Sequence, residues 1–214
     1  MEDVELPVAG VEGVGPDAVA VTFESPADFE AQPGQFVRLT LPVDGEDVSR
    51  FYTVSSPDVE RTFEVTVEVD PDGEVGPLLA DLTEGDTVTV SGPFGSDFYE
   101  GEDPVVVLAG GPGVGPAVAI AERARDDDHG AVVVYLDDEP IHEARIDRLR
   151  DRGATVAMID DDADLAAAVA AALDEYGRDS QLFVYGFAGF IDAATAAVET
   201  AGGDTTAAKI ENFG

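Results

Sequence analysis

Short runs of alternating apolar and polar side chains fill the first hundred residues, and a different rhythm takes over afterwards. In Phe63-Glu64-Val65-Thr66-Val67-Glu68-Val69-Asp70 the alternation is strict, the period of a half-buried strand, and Pro71-Asp72-Gly73 ends it. Residues 18–23, 36–41, 51–55 and 87–91 read the same way, bounded by Pro33-Gly34, Pro42, Pro57-Asp58 and Gly92-Pro93. Five or six such strands predict a small antiparallel barrel. From residue 104 to 109 the chain is continuously apolar, with Val105, Val106 and Val107, the pattern of a parallel strand buried on both faces. Gly110-Gly111-Pro112-Gly113-Val114-Gly115 follows, and Pro116 opens a helical stretch to residue 125. Strand and helix then alternate over 131–136, 141–150, 154–159, 165–176, 181–185 and 191–200. Leu165, Val169 and Leu173 recur at helical spacing, and Gly177 stands where that helix would stop. The second half therefore predicts an open parallel α/β sheet, with a barrel domain over 1–100 and an α/β domain over 101–214.

Charge changes this picture more than hydropathy does. There are 46 acidic residues against 11 basic ones, a formal charge of −35, and Lys209 is the sole lysine. Each half holds 23 acids, so this is no acidic tail. Such a field repels nucleic acid and anionic membranes. Uniform acidity in a chain with an ordinary apolar fraction predicts a folded protein suited to molar salt, where the Debye length falls to ~3 Å. No apolar run reaches the ~18 residues of a membrane span, and the first residues lack a signal-peptide pattern, so a cytoplasmic location with high salt is expected. Cysteine is absent, which removes disulfides, thiolate zinc sites and cysteine-held iron–sulfur clusters. Redox chemistry would fall to a bound organic cofactor. His129 and His142, far apart and beside acids, read as solvated surface groups and not as a metal site. Ser55 and Ser56 have no neighbouring histidine, so a serine hydrolase is not expected.

In the first half only Arg38, Arg50 and Arg61 can meet an anion. Along a strand, Arg50 and Tyr52 share a face, which sets a bidentate phosphate binder beside a flat stacking surface, with Thr53 supplying backbone and hydroxyl hydrogen bonds. A flavin nucleotide requires that combination. Arg50-Phe51-Tyr52-Thr53 also resembles the R-x-Y-[ST] motif of the ferredoxin-NADP reductase superfamily. Pro33-Gly34-Gln35-Phe36, the turn Gly73-Glu74-Val75-Gly76, Gly85-Asp86, Gly92-Pro93-Phe94-Gly95, Gly110 to Pro116, Tyr185-Gly186-Phe187 and Glu211-Asn212-Phe213 are similar to that family's further motifs, in its order.

The resemblance implies a six-stranded Greek-key flavin barrel followed by a nucleotide-binding α/β domain. It implies that the chain takes hydride from NADH or NADPH onto FAD, FMN being possible, and passes electrons to a separate ferredoxin, oxygenase component or free flavin. Arg50 would bind the flavin pyrophosphate, Tyr52 would stack on the isoalloxazine with the cofactor-binding Phe51 beside it, and Thr53 would hydrogen-bond near N5. Val67 and Val69 would lay backbone along the flavin, and Gly73, Val75 and Gly76 would form the phosphate turn at a helix start. Phe213 would cover the other ring face. Gly111, Gly113, Val114 and Gly186 would approach the nicotinamide nucleotide, with Tyr185 over the hydride-transfer site. Asp137, at the end of the second parallel strand, would accept from a ribose 2′-hydroxyl and repel a 2′-phosphate, favouring NADH. Pro112 and Tyr185 depart from the family's Thr and Cys. They leave open a second reading, a flavin-binding electron-transfer or regulatory module with a degenerate nicotinamide site.

Overall fold

The computed structural model describes residues 1–214. The barrel consists of β1 (Val4–Gly15), β2 (Ala18–Glu24), β3 (Phe36–Val43), β4 (Glu46–Thr53), β5 (Thr62–Glu68) and β6 (Thr87–Phe94), with the short helix α1 (Gly76–Ala80). Its strand order is β4-β3-β6-β1-β2-β5, the Greek-key arrangement, and every pairing is antiparallel. Alternating side chains point inward, so Val37, Leu39 and Leu41 of β3 meet Phe63, Val65 and Val67 of β5 in one core. The chain's first strand is the one that alternation did not reveal. Pro7, Gly10 and Gly13 interrupt its pattern, and its register against β2 slips at two irregularities, between Val8 and Gly10 and between Gly13 and Gly15.

Strand β6 ends at Phe94, and the second sheet begins at β7 (Val105–Gly110), whose six residues are all buried. A 3₁₀ turn at Gly111–Gly113 leads into α2 (Val114–Asp126), and β8 (Ala131–Leu136), α3 (Glu143–Asp151), β9 (Thr155–Ile159), α4 (Asp162–Tyr176), β10 (Gln181–Gly186), α5 (Ala188–Thr200) and β11 (Lys209–Asn212) follow. The sheet is parallel throughout, in the order β11-β10-β7-β8-β9. Helices α2 and α3 cover one face, α4 and α5 the other. The order reverses between β7 and β10, so a crevice opens at their carboxyl ends. No helix is long and apolar enough to cross a membrane.

Three polar contacts lock the lobes together. Arg145 of α3 forks onto Glu122 of α2 (3.1 and 2.5 Å) and reaches Glu64 of β5 at 3.0 Å. His142, expected at the surface, is instead buried with its Nε2 2.8 Å from the Thr66 hydroxyl. Burial, with Arg145 and Arg148 nearby, pushes its imidazole down to about 3, so it is neutral. Lys209 donates to Phe98 O (2.5 Å), Glu100 (2.9 Å) and Glu102 (2.5 Å), tying β11 to the segment that joins the lobes.

Candidate functional site

The barrel is closed on one level and open on the next. The Ser55 N–H donates to Glu64 O at 2.8 Å and Val54 pairs with Val65, but beyond this bridge β4 and β5 part. Because the Val54 N–H is spent on Gln35 O at 2.8 Å, strand alternation puts the Thr53 N–H on the edge that faces β5 across the gap. A cavity of about 630 Å³ fills this gap. Residues 49–53 of β4 form one wall, and Thr66, Glu68 and Asp70 form the next. Pro112, Pro116 and Phe187 close it from the switch point of the second sheet, and residues 211–214 from the chain's end.

Arg50 stands half-exposed at the mouth, 3.3 Å from Glu74, and so faces the Gly73-Glu74-Val75-Gly76 turn from across the gap. That turn comes within reach because Gly76 lacks a Cβ, which would lie 3.2 Å from Glu68 O. No side chain caps the start of α1. Burial pushes the Tyr52 phenol up to about 12, with Arg50 opposing, so it is a neutral, half-buried ring on the Arg50 face of the strand. Across the cavity, Phe213 meets Phe187 edge-on at 6.1 Å. The Thr53 hydroxyl donates to Glu211 Oε1 at 3.0 Å, joining residues 158 apart. Burial drives the Glu211 carboxyl up to about 7; Thr53 opposes this and Asp97 adds to it.

Val67 and Val69 send their side chains into the barrel core, and their backbone runs between the cavity-lining residues Thr66, Glu68 and Asp70. Other expected residues lie elsewhere. Tyr185 is not over the cavity. It sits on the α2 side of the sheet, fully buried, its hydroxyl donating to Asp97 O at 3.2 Å. Gly113 and Gly186 serve packing: a Cβ on Gly113 would collide with the Tyr185 carbonyl, and one on Gly186 would lie 2.8 Å from the Phe190 ring. Val114 is buried in the α2 core. Gly111 and Asp137 do meet, in a second cleft of about 430 Å³ shared with Leu136, Asp138 and Asp160, Asp161 and Asp162. Asp137 accepts from the Tyr135 hydroxyl (2.7 Å) and the Glu139 N–H (3.0 Å). The residues that the motif reading gave no role are Glu211 and Phe187, which stood within motifs, and Thr66 and Glu68, which only the folded geometry brings in.

Residues 5–99 match the oxidoreductase FAD-binding domain family. Over those residues the barrel is similar to that family. The barrel and its α/β partner together superpose on a ferredoxin NADP+ reductase from Neisseria gonorrhoeae with bound FAD and NADP, with a TM-score of 0.83 over 100% of both chains at 18% identity, which establishes the shared fold. The glycine betaine monooxygenase reductase subunit of Pseudomonas aeruginosa is 38% identical over 57% of this chain and 33% of its own length. A probable dihydroorotate dehydrogenase B (NAD(+)) electron transfer subunit of Methanopyrus kandleri is 41% identical over 44% of this chain and 34% of its own. The chain thus spans about a third of those relatives. The residues of the barrel fit FAD: a gap with a free strand edge, an aromatic wall, a cation at the mouth and a glycine turn opposite it.

Proposed function

We propose that the chain is an FAD-dependent NADH oxidoreductase that passes electrons to a separate acceptor. One observation carries this reading. The unzipped edge of the barrel opens directly onto the switch point of the α/β sheet, so that Arg50, Tyr52 and Thr53 share a cavity with Pro112, Phe187 and Phe213. Bound FAD supplies the chemistry of accepting hydride from a nicotinamide and releasing electrons onward. The protein's own part is positioning. We assign residues 1–100 to the flavin and 101–214 to the nicotinamide nucleotide.

In this assignment Arg50 holds phosphate together with the uncapped turn at Gly73 to Gly76. Tyr52 offers a neutral ring, and the Thr53 N–H and hydroxyl orient the flavin's polar edge. Glu211 fixes the Thr53 hydroxyl and holds or gives up a proton there near neutral pH. Phe213 covers the cavity from the other side and is the group that must move for a nicotinamide ring to stack. The five aspartates of the second cleft oppose a 2′-phosphate, which favours NADH. The rival reading, an electron-transfer module with a degenerate nicotinamide site, keeps Pro112 as its support but loses Tyr185, which lies outside the cavity. The acidity leads us to place the protein in a high-salt cytoplasm.

The test is an anaerobic titration in molar potassium chloride, with NADH and then NADPH, following the visible flavin band. Bleaching at lower NADH than NADPH is the expected result. A flavin band that neither donor bleaches would favour the electron-transfer module, and a protein that takes up no flavin would defeat both.

A further inference from the structure

Tyr135 carries a polar group deep into the second lobe. Its ring is 1% exposed and packs in the apolar cluster between the parallel sheet and helices α2 and α3, with Ile141, Ile146 and Leu149. A phenylalanine would fill that volume equally well, so packing does not account for the hydroxyl. It reaches the carboxyl end of β8, where it donates to Asp137 Oδ2 at 2.7 Å and accepts the Ile141 N–H at 3.1 Å. Burial pushes the phenol above its ordinary value; the Ile141 N–H opposes this and the Asp137 carboxylate adds to it, so the phenol keeps its proton and stays a donor.

Asp137 is thereby held at both oxygens. Oδ2 takes the Tyr135 hydroxyl, Oδ1 takes the Glu139 N–H at 3.0 Å, and the Asp137 N–H is itself tied to Ile159 O of β9 at 3.0 Å. A carboxylate has about four lone-pair directions, so each oxygen keeps one for the cleft that Asp137 lines. Two vicinal hydroxyls, one donating to each oxygen, fit that remainder. The same phenol also ties the cleft to the barrel. Residues 137–142 end against the first lobe: a Cβ on Gly15 would lie 2.5 Å from Ile141 Cγ2, the His142 N–H donates to Val14 O at 2.7 Å, and the His142 ring meets Thr66 of the cavity wall. By bonding Asp137 and Ile141 together, Tyr135 fixes the carboxylate relative to that wall. Cleft and cavity are within electrostatic reach of one another, since burial raises the Glu68 carboxyl in the cavity and Asp137, with Asp70, raises it further.

We propose that Tyr135 is a positioning residue for nucleotide choice: its hydroxyl presets Asp137 to take the vicinal hydroxyls of an adenosine ribose, so that NADH is preferred to NADPH through a carboxylate held in place and not through negative charge alone. The inference rests on the oxidoreductase reading above, with Asp137 as its ribose contact. Preorganisation supplies the selectivity. A free carboxylate could turn aside from a 2′-phosphate, and it would have to be ordered before it met a diol. One that is already held meets the diol without that cost and stays in the path of the phosphate.

The test follows flavin reduction in the FAD-loaded protein in molar potassium chloride as NADH or NADPH is raised, which separates the half-saturating concentration from the limiting rate. Tyr135→Phe keeps the ring and removes the hydroxyl. It should raise the half-saturating NADH about tenfold and leave the half-saturating NADPH, the limiting rate and the flavin content as they are. Calorimetric binding of NAD⁺, which needs no turnover, should weaken by the same factor, and binding of NADP⁺ should not. Asp137→Glu keeps the charge, displaces it by one methylene and leaves the core intact; it should narrow the preference for NADH as well. Tyr135→Phe combined with Asp137→Ala should narrow it no further than Asp137→Ala alone, because both remove one interaction. A Tyr135 that served only packing would raise both half-saturating concentrations together, or add its effect to that of Asp137→Ala, and either result overturns the proposal. So does an unchanged preference in Tyr135→Phe or, should that variant not fold, in Asp137→Glu. If Asp137→Ala leaves the preference intact, the ribose contact and the role of Tyr135 fall together while the oxidoreductase reading stands. A wild type that neither nucleotide reduces removes that reading too.

Discussion

Glu211 shows how one buried carboxyl can report on a site. Its carboxyl is raised by burial to about 7, so its contribution to stability is fully present below its unfolded value and is lost as pH rises through about 7. Glu211→Gln should therefore gain stability relative to wild type between pH ~5 and ~8, by at most roughly 3 kcal/mol, measured by urea unfolding at both values. The same variant should flatten the pH dependence of flavin reduction near neutrality. Arg50→Ala removes the cation at the cavity mouth and should weaken FAD binding by roughly 1.5–3 kcal/mol, read as a higher dissociation constant on reconstitution. Asp137→Ala should narrow the ratio of NADH to NADPH efficiencies; an unchanged ratio would remove Asp137 from specificity and leave the flavin site standing. Arg50, Tyr52 and Thr53 were legible in sequence because strand geometry alone dictates that alternate residues share a face. Tyr185 was not. Its position in β10 says where along the sheet it stands, but the face it takes depends on the helix that packs there, and here it faces α2 with Phe183.

At the level of elements, the lobes are joined by side chains that no local pattern announces. Within α3, Arg150 pairs with its own helix neighbour Asp147 at 3.1 Å. Arg145 is different: its side chain is 12% exposed and spans α2, α3 and β5 through Glu122 and Glu64. Arg145→Met leaves two largely buried carboxylates without their cation and should cost about 3–5 kcal/mol in unfolding free energy. Adding Glu64→Gln and Glu122→Gln should recover most of that loss; no recovery would mean that the guanidinium matters for its packing instead. Strand β11 is a similar case. Residues 209–212 are too short to show alternation against their surroundings, yet Lys209, Glu211 and Phe213 fall on one side of the strand, and Lys209 ties it to the joining segment while Glu211 meets Thr53. The parallel strands β7 and β8, by contrast, were plain, because full burial demands unbroken apolar runs.

For the whole molecule, the net charge of −35 sets the conditions under which those junctions hold. Each lobe is strongly acidic, so they repel one another across the interface that Arg145 and Lys209 bridge. At ~0.1 M salt the Debye length is ~10 Å and the repulsion acts across the lobes; at ~1 M it is ~3 Å and little of it remains. The buried Arg145 contacts are screened far less than exposed charges, so raising salt removes the opposing term and leaves the lock. Each lobe has its own apolar core, 17 buried residues in the barrel and clusters of 20 and 13 flanking the parallel sheet. Lowering the salt should therefore part the lobes before it melts them. Small-angle scattering should show a larger radius of gyration at low salt while far-UV circular dichroism is unchanged. Flavin should stay on the barrel, since Arg50, Tyr52 and the Gly73 turn all belong to it, whereas reduction by NADH should fail because Pro112, Phe187 and Phe213 have moved away. If the scattering and the dichroism changed together at a single salt concentration, the lobes would be one cooperative unit, and the polar lock would be secondary to the apolar contacts around Tyr99 and Ala18.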